Sequence, residues 1–280
     1  MKLLIIGGNG MAGHVLIRYF KRQHPEMDVM YTTRTEEGNG VYRLDAADSE
    51  AVASLVSALQ PDVIVNAAGI LNQDAEQHPL AAYRVNGFLP HWLRHLADTT
   101  GGGTMRVIHI SSDCVFSGAR GSYTEQDAPE GTSVYAKSKA LGEGPNSRHL
   151  TIRTSIIGPE IRQHGIGLLK WFMEQQGTVN GYSRVWWNGV TTLELAKAVD
   201  YAIAHPEIGG LVNLTAAETV SKLELLRLFQ AAFNKQDVTI AADPKPFLDR
   251  TLVATRTDWG YQPPGYVPML EELAQWMNEA

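Results

Sequence analysis

Over the first 110 residues, short unbroken apolar runs alternate with stretches whose apolar positions recur at helical spacing. Leu3–Ile6 is such a run, read as a strand buried on both faces, and it is followed by a glycine turn and a helical stretch, Met11–Arg22. Val29–Tyr31 and Val41–Leu44 predict the next two strands. Asp48-Ser49 is a helix start signal, and Val52, Leu55, Val56 and Leu59 follow at helical spacing. Asp62–Val65 after Pro61 predicts another buried strand, Leu80–Ala97 a helix, and Arg106–Ile110 a further strand. Strands alternating with helices imply right-handed βαβ units and a parallel sheet covered on both faces.

Beyond residue 110 the alternation loosens. Ser117–Gly131, rich in Gly, Ser, Pro and acids, reads as a long loop, Ser133–Gly144 as a helix and Leu150–Ile152 as a strand. The remainder mixes short elements, including Thr192–Ala204 and Ser221–Phe233. The pattern predicts an α/β fold, a Rossmann-type doubly wound parallel sheet with a smaller C-terminal substrate-binding lobe. Residues 1–157 are assigned to the NAD(P)-binding domain. Residues 158–280 are assigned mainly to the lobe, with segments returning to the Rossmann core.

Composition narrows the class. The 280 residues are 44% hydrophobic and 19% charged, the balance of an ordinary folded chain. With 24 basic against 30 acidic residues, the net charge is −6, and no basic run marks a nucleic-acid partner. The initial apolar run ends at Gly7-Gly8, short of a signal or membrane segment, and no apolar stretch of 18 residues occurs elsewhere. A single cysteine, Cys114, cannot form an internal disulfide and fits a reducing cytoplasm. A homodimer is compatible with the sequence, which does not fix the oligomeric state.

Glycines 7, 10 and 13 stand between a strand and a helix. One glycine makes the tight turn, one admits a pyrophosphate to the backbone, and one lets helix and sheet pack closely. The turn residues Gly7, Asn9, Gly10, Met11 and Gly13 are therefore assigned to a dinucleotide. The second strand ends in Tyr31-Thr32-Thr33-Arg34, with no acid at its tip for a ribose 2′-hydroxyl. Hydroxyls and a guanidinium suit a 2′-phosphate, so NADPH is expected, with NADH the alternative if Glu36 or Glu37 takes the ribose.

Tyr135 and Lys139 stand four residues apart, on one face of the predicted helix. A nearby ammonium favours the phenolate, and Tyr135 can pass a proton to a carbonyl oxygen while hydride reaches the carbon. Ser112, at the C-terminal end of the preceding strand, can hold that oxygen.

Taken in order, Gly7–Gly13, Asn66–Gly69, Ser111–Phe116 and Tyr135–Lys139 resemble the extended short-chain dehydrogenase/reductase family. Ser111–Gly118, Tyr123-Thr124-Glu125, Val134-Tyr135, Gly142-Glu143 and Arg153-Thr154-Ser155 resemble its dTDP-4-dehydrorhamnose reductase branch. The resemblance implies that Ser112, Tyr135 and Lys139 are the catalytic hydroxyl, tyrosine and lysine. It also implies that Asp45 contacts adenine, that Ala67, Ala68 and Gly69 lie along the cofactor, and that Asp113 and Cys114 line the sugar pocket. The implied reaction is reduction by NADPH of a nucleotide-linked 4-keto-6-deoxy sugar.

The branch pattern is not kept throughout. Ser112 replaces a threonine, Cys114 a tyrosine and Ile156 a tryptophan, and the later segments read Trp186-Trp187-Asn188, Gly189–Thr192 and Asp249-Arg250-Thr251. An altered pocket with Trp187 stacking on the ligand or refilling space at Ile156 is expected, and a UDP-linked 2-acetamido-4-keto sugar becomes an alternative substrate. A non-catalytic NADP-binding regulatory subunit is the alternative from another class. An epimerase or dehydratase is a third, disfavoured for dehydration by the missing acid pair. His91 and His95 share helical spacing without a third ligand, so no metal is assigned.

Overall fold

The computed structural model describes residues 1–144, 148–162 and 165–279. The apolar runs become β1 (Lys2–Ile6), β2 (Asp28–Thr33), β3 (Val41–Arg43), β4 (Val63–Asn66), β5 (Arg106–Ser112) and β6 (Leu150–Thr154). A seventh strand, Gly210–Asn213, pairs with β6, and the order runs Gly210–Asn213, β6, β5, β4, β1, β2, β3 with every pair parallel. The chain order reverses between β1 and β4. In an open parallel sheet, ligands bind in the crevice at the carboxyl ends of the strands beside that point.

The two-residue period of the strands sorts their side chains between two layers. Leu3 and Ile5 face the helix α1 (Met11–Gln23) through Val15, Leu16 and Phe20. Leu4 and Ile6 face the opposite layer, with Val52, Val56, Leu93 and Leu96. Helix Ser49–Leu59 starts where the sequence signals it, because Asp48 accepts from the Glu50 and Ala51 amides at 3.0 Å.

The predicted helix Leu80–Ala97 is instead broken into Pro79–Ala82, a π-helical turn over Tyr83–Phe88 and an α-helix over Leu89–Thr99. Pro90 explains the break, because it carries no N–H for the Asn86 carbonyl. Gly142 then lets the helix Val134–Gly142 approach, since a Cβ there would lie 2.2 Å from the Asn86 oxygen. The π turn thereby docks the helix that carries Tyr135 and Lys139.

Residues after 157 both return to the sheet and build the lobe. Helix Thr192–Ala204 packs on α1, and Gly210–Asn213 completes the sheet edge. The lobe holds a parallel pair, Gly177–Tyr182 with Val238–Asp243, and a sheet of three short strands, Val220–Ser221, Val185–Trp187 and Leu248–Asp249. Ser221 caps helix Lys222–Ala232 with a capping box to Glu224. Among the described residues no helix is long and apolar enough to cross a membrane.

Candidate active site

The glycine turn has the shape its sequence calls for. Gly7 sits at φ +93, where a side chain would be strained and its Cβ would lie 2.8 Å from the Ala68 amide nitrogen. A Cβ on Gly13 would lie 2.1 Å from the Gly7 oxygen. Gly10 is the N-cap of α1 and gives it no side-chain cap, and the first turn carries no acid. Amides left without internal partners at that end suit a pyrophosphate, and the tight backbone of Gly7, Asn9, Gly10 and Met11 against Ala67-Ala68 fits a dinucleotide.

At the adenosine end the structure redistributes the expected roles. Both threonine hydroxyls are engaged by backbone, Thr32 at the glycine turn and Thr33 at the turn after β2. Thr32 Oγ1 accepts from the Gly7 amide at 3.2 Å, and Thr33 Oγ1 accepts from the Glu36 amide at 2.8 Å. Arg34 remains exposed at the strand tip, and Asp45 is exposed after β3. A second guanidinium, not foreseen from sequence, joins Arg34. Arg162 donates from Nε to the Asn9 carbonyl at 3.1 Å, and desolvation followed by the Arg34 charge lowers its pKa. Two guanidinium groups brought together over a glycine turn fit a phosphate.

The residues expected to be catalytic lie around the end of β5. Ser112 Oγ donates to Asp113 Oδ1 and accepts from the Cys114 amide, each at 3.1 Å, and the hydroxyl faces the Tyr135 phenol. Ser111 is turned away and donates to Glu143 at 2.6 Å; Glu143 is also held at two oxygens by Arg153 (2.9 and 2.6 Å). Adjacent serines thus point to separate partners, one to the Tyr135 phenol and one to a buried ion pair. Asn86 locks the neighbourhood, donating to the Ile70 carbonyl and to Ser138 on the Tyr135 helix at 2.8 and 3.0 Å.

The Lys139 ammonium donates to the Ile110 carbonyl at 2.6 Å, and burial lowers its pKa to about 8. Burial also raises the Tyr135 pKa, with a further rise from Cys114, and only Ser112 and Arg250 oppose it. Tyr135 is therefore a phenol, the form that can donate a proton. Desolvation is the largest cause of that shift.

Asp113 is buried, and desolvation raises its pKa against the lowering charges of Arg250 and Lys222. Burial pushes the Cys114 thiol up to about 12, leaving it protonated and a poor nucleophile. Trp187 packs in the core against Tyr266, with ring centroids 5.5 Å apart, and the Lys222 ammonium lies over its ring. It offers no open stacking platform. Lys222 escaped the sequence reading altogether, although a lysine straight after a serine N-cap is an audible signal, since cations are disfavoured there. His91 bonds the Leu141 carbonyl and His95 stacks on Trp92. Among the described residues no three His, Cys, Asp or Glu side chains gather as a metal site.

The chain is similar to known proteins. The profile of the RmlD substrate binding domain matches residues 1–246. Methionine adenosyltransferase 2 subunit beta of Danio rerio is 26% identical over 247 residues, 83% of this chain and 74% of that protein. The dTDP-4-dehydrorhamnose reductase of Salmonella typhimurium is 30% identical over 211 residues, 70% of this chain and 68% of that one. Against two further curated relatives the match spans 48% and 51% of their length. A dTDP-4-dehydrorhamnose reductase of Bacillus anthracis, solved in complex with NADP, superposes with a TM-score of 0.82 at 17% identity. That superposition covers 100% of this chain and 99% of the other.

Proposed function

Because the chain belongs to the RmlD substrate binding domain family, within the extended short-chain dehydrogenases/reductases, we propose that it is an NADPH-dependent reductase of a nucleotide-linked 4-keto-6-deoxy sugar. One observation carries the reading. Ser112 and the helix bearing Tyr135 and Lys139 meet at the carboxyl end of β5, on the same side of the sheet as the glycine turn after β1. NADPH, when bound, supplies the hydride that reaches C4 of the sugar. Tyr135, kept protonated by burial, gives its phenolic proton to the ketone oxygen. Ser112 Oγ steadies that oxygen as charge develops on it. Lys139, whose ammonium donates to the Ile110 carbonyl, is assigned the binding of the cofactor ribose. Arg34 and Arg162 favour NADPH over NADH, and Asp113 and Cys114 line the sugar pocket.

The test is NADPH oxidation against a panel of dTDP-, UDP- and GDP-linked 4-keto sugars, including a UDP-linked 2-acetamido-4-keto hexose. Turnover of one class above the others is the expected result. No oxidation with any of them overturns the reading. The similarity to methionine adenosyltransferase 2 subunit beta favours one rival, an NADP-binding regulatory subunit without turnover. That rival requires tight NADPH binding with a silent panel, and the assembled Ser112 and Tyr135 speak against it.

A further inference from the structure

Two consecutive residues at the end of β5 are gripped from one turn of a neighbouring helix. The Ile110 carbonyl accepts from Lys139 Nζ, and Ser111 Oγ donates to Glu143 Oε1, each at 2.6 Å. Lys139 stands in the last turn of helix Val134–Gly142, and Glu143 follows four residues later, just past the helix end. The grip falls immediately before Ser112, whose hydroxyl faces the phenol of Tyr135 on that same helix.

Glu143 is held in its turn. Arg153 binds it through Nε at 2.9 Å and Nη2 at 2.6 Å, and donates from Nη1 to the Thr124 carbonyl at 3.3 Å. The Arg153 guanidinium also lies 4.8 Å from the centroid of the Phe116 ring. In the parallel pairing of β5 with β6, Ser111 stands opposite Arg153, so two cross-strand partners reach for one carboxylate. That carboxylate joins β5, β6 and the end of the helix.

Stability is a weak reason for such a junction. A buried ion pair often gains nothing over well-packed apolar residues, because desolvating both charges offsets their attraction. A bidentate guanidinium–carboxylate pair does fix direction as well as distance. Ser111 Oγ ties the strand to a carboxylate whose direction is already fixed.

We infer that Ser111 is a positioning residue, which through Glu143 holds the end of β5 in register with the helix of Tyr135 and Lys139. The inference rests on the proposed reaction and adds to it a residue that acts from behind the reacting groups. Its bond steadies the backbone from which Ser112 Oγ meets the phenol and accepts from the Cys114 amide at 3.1 Å. A misplacement of about 1 Å between reacting groups can cost about 100-fold in rate, so this brace bears on turnover more than on binding.

Amide hydrogen exchange followed by NMR reads the brace without a substrate, because the Cys114 N–H is bonded to the Ser112 hydroxyl. In Ser111→Ala that amide should exchange about 10-fold faster, while amides of the central strands β1 and β4 keep their rates. Steady-state kinetics use the 4-keto sugar of the panel that the unmodified protein turns over. They should show kcat lowered about 10-fold at unchanged sugar KM and NADPH affinity. Ser111→Thr retains the hydroxyl and should restore both readouts. A Ser111→Ala protein with the unmodified exchange rate at Cys114 and the unmodified kcat overturns the inference. So does a loss of protection by one common factor throughout the sheet, which would make the bond a contribution to stability alone. A silent sugar panel beside a selective loss at Cys114 would overturn the proposed reaction and leave the brace standing.

Discussion

At the residue scale, the chemistry turns on which groups the protein keeps neutral. Tyr135 is shielded from water, which raises its pKa and keeps it a phenol, the form the proposed reaction requires. Tyr135→Phe preserves the ring and removes the donor. Turnover is expected to fall about 10²–10⁴-fold in steady-state assays, with NADPH binding unchanged by fluorescence titration. The paired guanidinium groups make a second expectation. Arg34→Ala and Arg162→Ala should each weaken NADPH about 10- to 100-fold and leave NADH nearly untouched. Equal weakening of both cofactors would show that the arginines only support the loop. Arg34 is legible in the sequence because the end of a second strand is a known place to look. Arg162 is not, because it arrives at the same point from 153 residues beyond Asn9.

At the scale of elements, local rules were readable and convergent ones were not. The glycine turn is shaped by its own glycines at fixed spacing and supported by Thr32 and Ala67-Ala68 from two neighbouring strands, so the spacing alone reveals it. The helix starts at Asp48 and Ser221 are equally local. By contrast, the apolar pattern of Leu80–Ala97 is continuous, and only the missing N–H of Pro90 shifts the ladder into a π turn. Lys222, Arg250 and Asp113 are assembled from three distant segments, and no window of sequence contains them together. Gly142 tests the docking that results. Gly142→Ala would push a methyl group into the Asn86 carbonyl, and the expected destabilisation is about 1–3 kcal/mol, measured as a lower urea midpoint. An unchanged midpoint would mean that the π turn yields without loss.

For the whole molecule, a buried lysine links stability to pH. The folded pKa of Lys139, about 8, lies below its unfolded value of 10.5, so the unfolded chain binds more protons between those limits. Its contribution to stability therefore grows as pH rises from about 8 toward 10. In urea titrations at pH 8 and 9.5, Lys139→Met should remove that component, giving a smaller rise or a steeper fall than the unmodified protein. Identical slopes would show that the lysine is hydrated in the folded state. The sheet itself has a different consequence, for synthesis on the ribosome. Its edge strand, Gly210–Asn213, lies 56 residues beyond the end of β6 at Thr154. Asn213 then fastens that edge to two loops, donating to the carbonyls of Tyr123 and Val253. Until residue 213 has cleared the exit tunnel, the nascent chain carries β6, Leu150–Thr154, as an open and wholly buried-type edge. The emerging polypeptide must keep that edge from pairing with its neighbours on a polysome, so a slow codon stretch just before residue 210 would lower the yield of soluble protein without altering a single side chain.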